Sequence, residues 1–438
     1  MKIHFIGIGG IGISGLAQYM QYKGHNVSGS DIKGTRITEK LQHLGSTITI
    51  PHASSAIEKD HDLVVHSAII RPDNPEIIAA KEKGIEVLAR REALLKILDD
   101  RKVYAVAGAH GKSTTTAILA SIMDGSAIIG AESKAFGSNV RYDEKTDVMI
   151  FEADESDGSF LNSNPYCAIV INAEPEHMEY YDYNYERFYD SYKTFIKSAK
   201  HRVLNAEDPF LATLVDTVDA QWLYPSRDIT EIEYVLINNE PHTRFTLKEF
   251  GTFDVWGFGK HIALDATLAI LAAKESMDIE TIRKKLLTFK GIKKRFDIVG
   301  LEEKSVIIDD YGHHPTEIKA TFESVKEYAQ LKGFDKITAI WQPHKYSRTI
   351  DNLDAFIECF EGADELIILP VWAASEAPRD IDFQEKFKAY NLTMADSIER
   401  ANNTISVVKD KKELEKLDRG LIIGFGAGDI TYQIRGTA

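Results

Sequence analysis

At 438 residues the chain exceeds what one hydrophobic core sustains, so two or three domains are expected. A formal net charge of −15 argues against nucleic acid or an anionic membrane surface as the main partner, while leaving room for local basic phosphate sites. Hydrophobic residues at 44% and charged residues at 27% fit a soluble globular protein, and two cysteines, Cys167 and Cys359, fit a reducing cytoplasm without a disulfide framework. The N-terminus enters a strand pattern with no cleavage site, and no apolar run reaches membrane-span length, so a cytoplasmic protein is expected.

Lys2–Ile6 reads as an apolar strand, followed by Gly7-Ile8-Gly9-Gly10-Ile11-Gly12, a helical stretch over Leu16–Tyr22, and a second strand from Asn26 ending at Asp31. This is a dinucleotide-type glycine turn in its strand–turn–helix–strand context. Gly7, Gly9 and Gly12 would let the backbone approach a pyrophosphate, and Asp31 could accept from a ribose or base. That chemistry suits NAD and a UDP-sugar equally. Further strands at Leu63–Ser67 and Glu86–Leu88, with helices between, predict a parallel α/β sheet over about the first 100 residues, closed by the charged linker Leu98–Lys102.

A second α/β unit opens at Val103. Its strand runs into Gly108-Ala109-His110-Gly111-Lys112-Ser113-Thr114, which opens a helix. Such a turn aims backbone N–H groups at one spot and suits a polyphosphate, with Lys112 as a point charge and the Ser113 hydroxyl as a ligand for Mg²⁺. Val106 stands where the general P-loop has glycine, so this turn is shorter. The strand Asp147–Glu152 ends in Ala153-Asp154-Glu155, and period two puts Ile150, Glu152 and Asp154 on one face. Carboxylate oxygens beside phosphates suit Mg²⁺. His177 follows the next strand, Cys167–Asn172, and its spacing alone gives little support for a metal role.

Glu231–Trp256 alternates as an antiparallel excursion, and His261–Ala273 and Ile279–Phe289 are helical in period. The basic Lys290–Arg295 marks the next boundary. In the third unit, strands are expected at Val306–Asp310, Ile337–Gln342, Leu366–Pro370 and Leu421–Phe425. The turn Asp309-Asp310-Tyr311-Gly312-His313-His314-Pro315 reads as a polar cleft motif rather than a zinc site, because no cysteine lies near and neighbouring histidines point apart. Gln342–Thr349 carries His344, Lys345, Tyr346 and Arg348, and Arg348 could grip a carboxylate or phosphate with its fork.

Together these residues resemble the Mur ligase family of ATP-dependent amide-forming enzymes of peptidoglycan synthesis. The ordered motifs are Gly7–Gly12, Val65–Ile69 with Asn74-Pro75-Glu76, Gly108–Ser113, Glu152–Asp157, Glu174–Met178, Lys294–Phe296, Asp309–Pro315, Gln342–Arg348 and Gly426–Asp429. The resemblance implies three α/β domains: residues 1–100, Rossmann-like, for a UDP substrate; 101–293, a central P-loop ATPase-like parallel sheet for ATP; and 294–438, Rossmann-like, for the amino acid. It looks closest to members that add L-alanine to UDP-N-acetylmuramate, with members that attach a tripeptide to the same nucleotide as the alternative. It implies UDP contacts from Gly9, Gly10, Ile11, Gly12, Asp31 and Ser67. ATP would be held by Gly108, Ala109, His110, Gly111, Lys112, Ser113 and Thr114, with Asp265, Arg295, Asp310 and His313. His344, Lys345, Tyr346 and Arg348 would lie near the substrates.

Lys112, His177 and Arg295 would be catalytic, and Ser113, Glu152 and His177 would contact Mg²⁺. Glu155 is the alternative to Glu152, which is favoured by its strand face and its spacing to His177. The enzyme would act as a monomer or dimer. Four positions depart from the family pattern: Ser113 for Thr, Lys345 for Arg, and Ile262 with Asp265 for two Asn. Asp265 is therefore expected to accept from the adenine amino group. A dehydrogenase reading rests on the first glycine turn alone and leaves Lys112, the acidic cluster and Arg295 without a role.

Overall fold

The structure is a computed structural model that describes residues 1–437. Strands β1 (Lys2–Ile6), β2 (Asn26–Ser30), β3 (Thr47–Thr49), β4 (Leu63–His66) and β5 (Glu86–Ala89) form the first sheet, in the order β3-β2-β1-β4-β5. All its pairings are parallel. Strand order reverses at β1, which opens a crevice beyond the carboxyl ends of β1 and β4. Gly7 and Ser67 stand there.

The second sheet comprises β6 (Lys102–Ala107), β7 (Ser126–Ser133), β8 (Ser138–Arg141), β9 (Val148–Glu152), β10 (Pro165–Val170), β11 (His201–Asn205) and β12 (Gln221–Leu223). Its order is β12-β11-β10-β6-β9-β7-β8, parallel except for β8. Central β6 lies between β9 and β10, so the turn after it is flanked by both neighbours' carboxyl ends. The helix Tyr185–Ser198 begins after Asn184, whose side chain accepts from Arg187 N at 3.0 Å. The three-stranded sheet β13 (Ile229–Ile237), β14 (Glu240–Leu247) and β15 (Gly251–Trp256) is the predicted excursion.

The remaining strands are β16 (Asp297–Leu301), β17 (Ser305–Asp310), β18 (Ile337–Trp341), β19 (Glu365–Ile368), β20 (Leu392–Met394), β21 (Ser397–Ala401), β22 (Thr404–Lys409), β23 (Lys412–Leu417) and β24 (Gly420–Phe425). Six of them form a sheet ordered β16-β17-β24-β18-β19-β20, parallel except for β16. The antiparallel meander β21–β23 buries Ile398, Ile405, Val407 and Leu417 in one cluster with Ile307, Ile340 and Ile422.

The chain divides into two compact units: Met1–Glu231, Phe245–Phe253 and Ala263–Lys290, then Ile232–Arg244, Asp254–Ile262 and residues from 291 onward. The first unit holds both leading sheets, which share one hydrophobic cluster running from Ile3 and Phe5 through Val103 and Ala105 to Ala168. Gly15 makes this packing close, because a Cβ there would stand 3.1 Å from the Ile128 side chain. Among the described residues no helix is long and apolar enough to cross a membrane.

Beneath β1 and β2 the first unit buries a polar network. Glu76, fully buried, accepts from Ser30 Oγ at 2.5 Å and Ala53 N at 2.8 Å, and lies 3.2 Å from His4 Nε2. Burial alone would raise its pKa, but His4, Ser30 and Ala53 outweigh that and hold it below the usual glutamate value. A depressed folded pKa stabilises above the unfolded value of about 4.3, and that contribution is lost as pH falls through the folded value. Glu76→Ala is expected to cost about 3 kcal/mol in urea unfolding at pH 7, since it strands the buried His4 and Ser30 side chains and the Ala53 N–H. The difference from the parent should shrink below pH 4.3. Equal urea midpoints at pH 7 would contradict this role.

Candidate active site

The Gly108–Ser113 turn leaves β6 and enters the helix Lys112–Ile122. Gly111 caps that helix at φ 85°, a left-handed conformation that a side chain resists. No side chain caps this helix end, so its first N–H groups stay available to an anion. Asn172, just beyond β10, clamps the turn from the neighbouring strand: its Oδ1 accepts from His110 N at 3.2 Å and its Nδ2 donates to His110 O at 3.1 Å. His110 Nε2 lies 3.5 Å from Glu174 and 3.4 Å from Glu176.

Two carboxylates meet this turn. Ser113 Oγ donates to Glu152 Oε1 at 3.0 Å, and Glu152 Oε2 accepts from Gly130 N at 2.6 Å. The register pairs Val106 with Glu152, which sets this carboxylate beside the turn. Lys112 Nζ donates to Gly108 O at 2.5 Å and Ala109 O at 3.1 Å, and pairs with Glu155 at 3.0 Å. Glu155 is 1% exposed, and burial lifts its pKa to about 7, with Lys112 opposing a further rise. Burial also works against the Lys112 ammonium, and Glu155, with Glu152 and Asp154, more than compensates.

Ligand atoms of Glu155, Glu176 and His177 all lie within 4.8 Å of one another. Ser113 and Glu152 thus form one donor set beside the turn, and His177 falls in a second with Glu155. The first set offers a hydroxyl and a carboxylate, the second two carboxylates and an imidazole, and such oxygen-dominated donors suit Mg²⁺. Asp265 is 3% exposed and lies under the turn, where a Cβ at Gly111 would stand 2.7 Å from its Oδ1. Burial raises its pKa well above the usual carboxylate value, with Thr115 opposing the rise.

At the first sheet, Gly10 caps the helix Ile11–Tyr22 without a side-chain cap, and Ile11 is exposed at its start. Asp31 braces the turn: Oδ2 accepts from Gly9 N at 2.9 Å and Oδ1 from Ile32 N at 2.7 Å. A Cβ at Gly9 would stand 2.8 Å from Asp31 Oδ2, and one at Gly7 would stand 3.2 Å from Ser67 Cβ. A Cβ at Gly12 would collide with the Arg90 guanidinium.

The second unit gathers its own polar cluster. Arg295 Nη1 donates to Glu317 Oε1 at 3.2 Å, and Glu317 Oε2 accepts from His313 N at 3.2 Å. Burial would raise Glu317, but Arg295 and His313 bring it down to about 2. Asp310 is buried, accepts from Phe296 N and Gly312 N at 2.7 Å each, and is lifted by burial to about 6. The His313 and His344 rings lie 5.7 Å apart, and Arg348 Nη1 sits 3.1 Å from His344 Nδ1. Burial, with His313, Arg348 and Lys345, drives His344 down to about 4, so it is neutral at pH 7. Lys345 adopts φ 69° just ahead of the helix Tyr346–Asp351, and Ser347 fixes that corner through Glu376 at 2.5 Å.

A short glycine turn on a parallel sheet, with a lysine and a serine each seated on a carboxylate, defines a phosphoryl-transfer type of site. Family models match in order along the chain: Mur ligase family, catalytic domain, at residues 2–102; Mur ligase middle domain at 106–273; and Mur ligase, glutamate ligase domain, at 294–425. The chain belongs to the Mur ligase family. It is 54% identical over 435 residues to the UDP-N-acetylmuramate–L-alanine ligase of Campylobacter curvus (strain 525.92), covering 99% of each chain. It is 52% identical over 438 residues to the enzyme of that name from Helicobacter pylori (strain P12), covering 99% of this chain and 96% of that one. The crystal structure of UDP-N-acetylmuramate-alanine ligase from Thermotoga maritima superposes with a TM-score of 0.81 at 25% identity, over 100% of this chain and 98% of the other. A murein peptide ligase from Psychrobacter arcticus 273-4 gives 0.64 at 21% identity and shares the fold.

Proposed function

We propose that this chain joins L-alanine to the lactyl carboxylate of UDP-N-acetylmuramate, converting ATP to ADP and phosphate, in cytoplasmic peptidoglycan precursor synthesis. The supporting observation is the Gly108–Ser113 turn, with Lys112 and Ser113 each on a carboxylate, in a chain matched end to end by ligases of that specificity. The domains would divide near residues 100 and 293.

A carboxylate is a poor acyl donor at neutral pH. In the proposed reaction its oxygen attacks the γ-phosphorus, the bond to the β-phosphate oxygen breaks, and ADP leaves. The alanine amine then attacks the acyl phosphate carbonyl, loses a proton, and phosphate departs with the original carboxylate oxygen. The protein's task is to hold two anions together, which calls for positioning and positive charge. Lys112 would turn from the Gly108 and Ala109 carbonyls onto the ATP phosphates. Ser113 and Glu152 would hold one Mg²⁺, and His177 with Glu155 would hold a second; bound Mg²⁺ would offset the phosphate charge. Arg295, Asp310 and His313 would contact ATP, and Asp265 would contact adenine. Neutral His344, with Lys345, Tyr346 and Arg348, would lie near the substrates.

The test is phosphate release with ATP, UDP-N-acetylmuramate and either L-alanine or tripeptide. Release with L-alanine is expected; release with tripeptide alone would reverse the reading. Gly9→Ala is expected to raise KM for UDP-N-acetylmuramate about tenfold with kcat little changed, since it obstructs binding rather than chemistry. An unchanged KM would place the UDP moiety elsewhere.

A further inference from the structure

Arg90 opens the helix Arg90–Ile97 at the carboxyl end of β5. Its side chain is 15% exposed and reaches two places. One edge lies against Gly12 of the first glycine turn. On the other edge, Nη2 donates to Ser159 Oγ at 2.9 Å and lies 3.8 Å from Asp154 Oδ2. Ser159 Oγ in turn donates to Asp154 O at 3.2 Å, and Ser159 N donates to Asp157 Oδ1 at 3.0 Å. These bonds fix the turn that carries Glu155, the partner of Lys112. A contact chain thus runs from Gly12 through Arg90 and Ser159 to Glu155 and Lys112.

We infer that Arg90 is a positioning residue that couples the two nucleotide sites: a diphosphate at the Gly9–Gly12 turn sets the acidic turn that seats Lys112. A guanidinium is planar and its five donors point in fixed directions, so an anion drawn to one edge fixes the other edge as well. A lysine could not transmit an orientation this way. The inference rests on the reading that the Gly9–Gly12 turn takes the UDP moiety. Coupling of binding is reciprocal, so each nucleotide raises the affinity for the other by the same factor.

The test is calorimetric titration of the full chain with a non-hydrolysable ATP analogue and Mg²⁺, with and without saturating UDP-N-acetylmuramate, and the reverse titration. The parent is expected to bind the analogue about tenfold tighter when the UDP compound is present. Ser159→Ala removes the link outside both sites; it should bind each nucleotide alone within about twofold of the parent while the coupling factor falls towards one. Arg90→Lys keeps the charge without the fork and should lose the coupling too. A parent with no coupling, or a factor unchanged in both variants, overturns the inference and leaves the UDP assignment standing. Failure of the parent to bind the UDP compound at all overturns that assignment as well.

Discussion

Lys112→Met is expected to lower phosphate release by about 10³-fold in kcat, with the protein still folded. Lys112 is the ammonium seated inside the Gly108–Ser113 turn, within hydrogen-bonding reach of two loop carbonyls and Glu155. Methionine fills similar volume and favours a helix start well enough to keep the Lys112–Ile122 helix. The lost charge is the one that would meet the oxygens of the transferring phosphoryl group. The check is the coupled phosphate assay beside a thermal unfolding scan. A variant within tenfold of the parent would remove Lys112 from the chemistry.

Glu155→Gln carries the second large effect. The buried carboxylate holds Lys112 and shares a donor group with Glu176 and His177. The amide keeps the shape but loses the negative charge. We expect kcat to fall about 10²-fold and the Mg²⁺ concentration for half-maximal rate to rise about tenfold. A magnesium titration of parent and variant reads both. Parent-like kcat with an unchanged Mg²⁺ requirement would leave Glu155 a structural partner of Lys112 only.

Much of this was legible in the chain. Strand–turn–helix punctuation placed Lys2–Ile6, the Gly7–Gly12 turn and the Gly108–Ser113 turn, because glycine spacing and apolar runs are local signals. What escaped was non-local or fell where a period stops. The alternation that put Glu152 and Asp154 on one face ends with β9 at Glu152. Beyond it the chain turns, with Gly158 N donating to Glu155 O at 3.1 Å, and this folds Glu155 inward to Lys112. Arg90 and Asn172 gave no local sign, since each acts on residues at least 62 positions away. The hairpin β7–β8 is rich in small and polar residues, and the meander β21–β23 shows only one apolar face, so neither stood out. The upward shift of the Asp265 carboxyl comes from its burial beneath Gly111, which spacing does not report.

The central claim is that the substrate carboxylate is activated by phosphorylation at the Lys112 turn. UDP-N-acetylmuramate labelled with ¹⁸O in its lactyl carboxylate, turned over with ATP and L-alanine, tests it most directly. One labelled oxygen in each released phosphate is the predicted result. Phosphate free of label, with amide still formed, would contradict it.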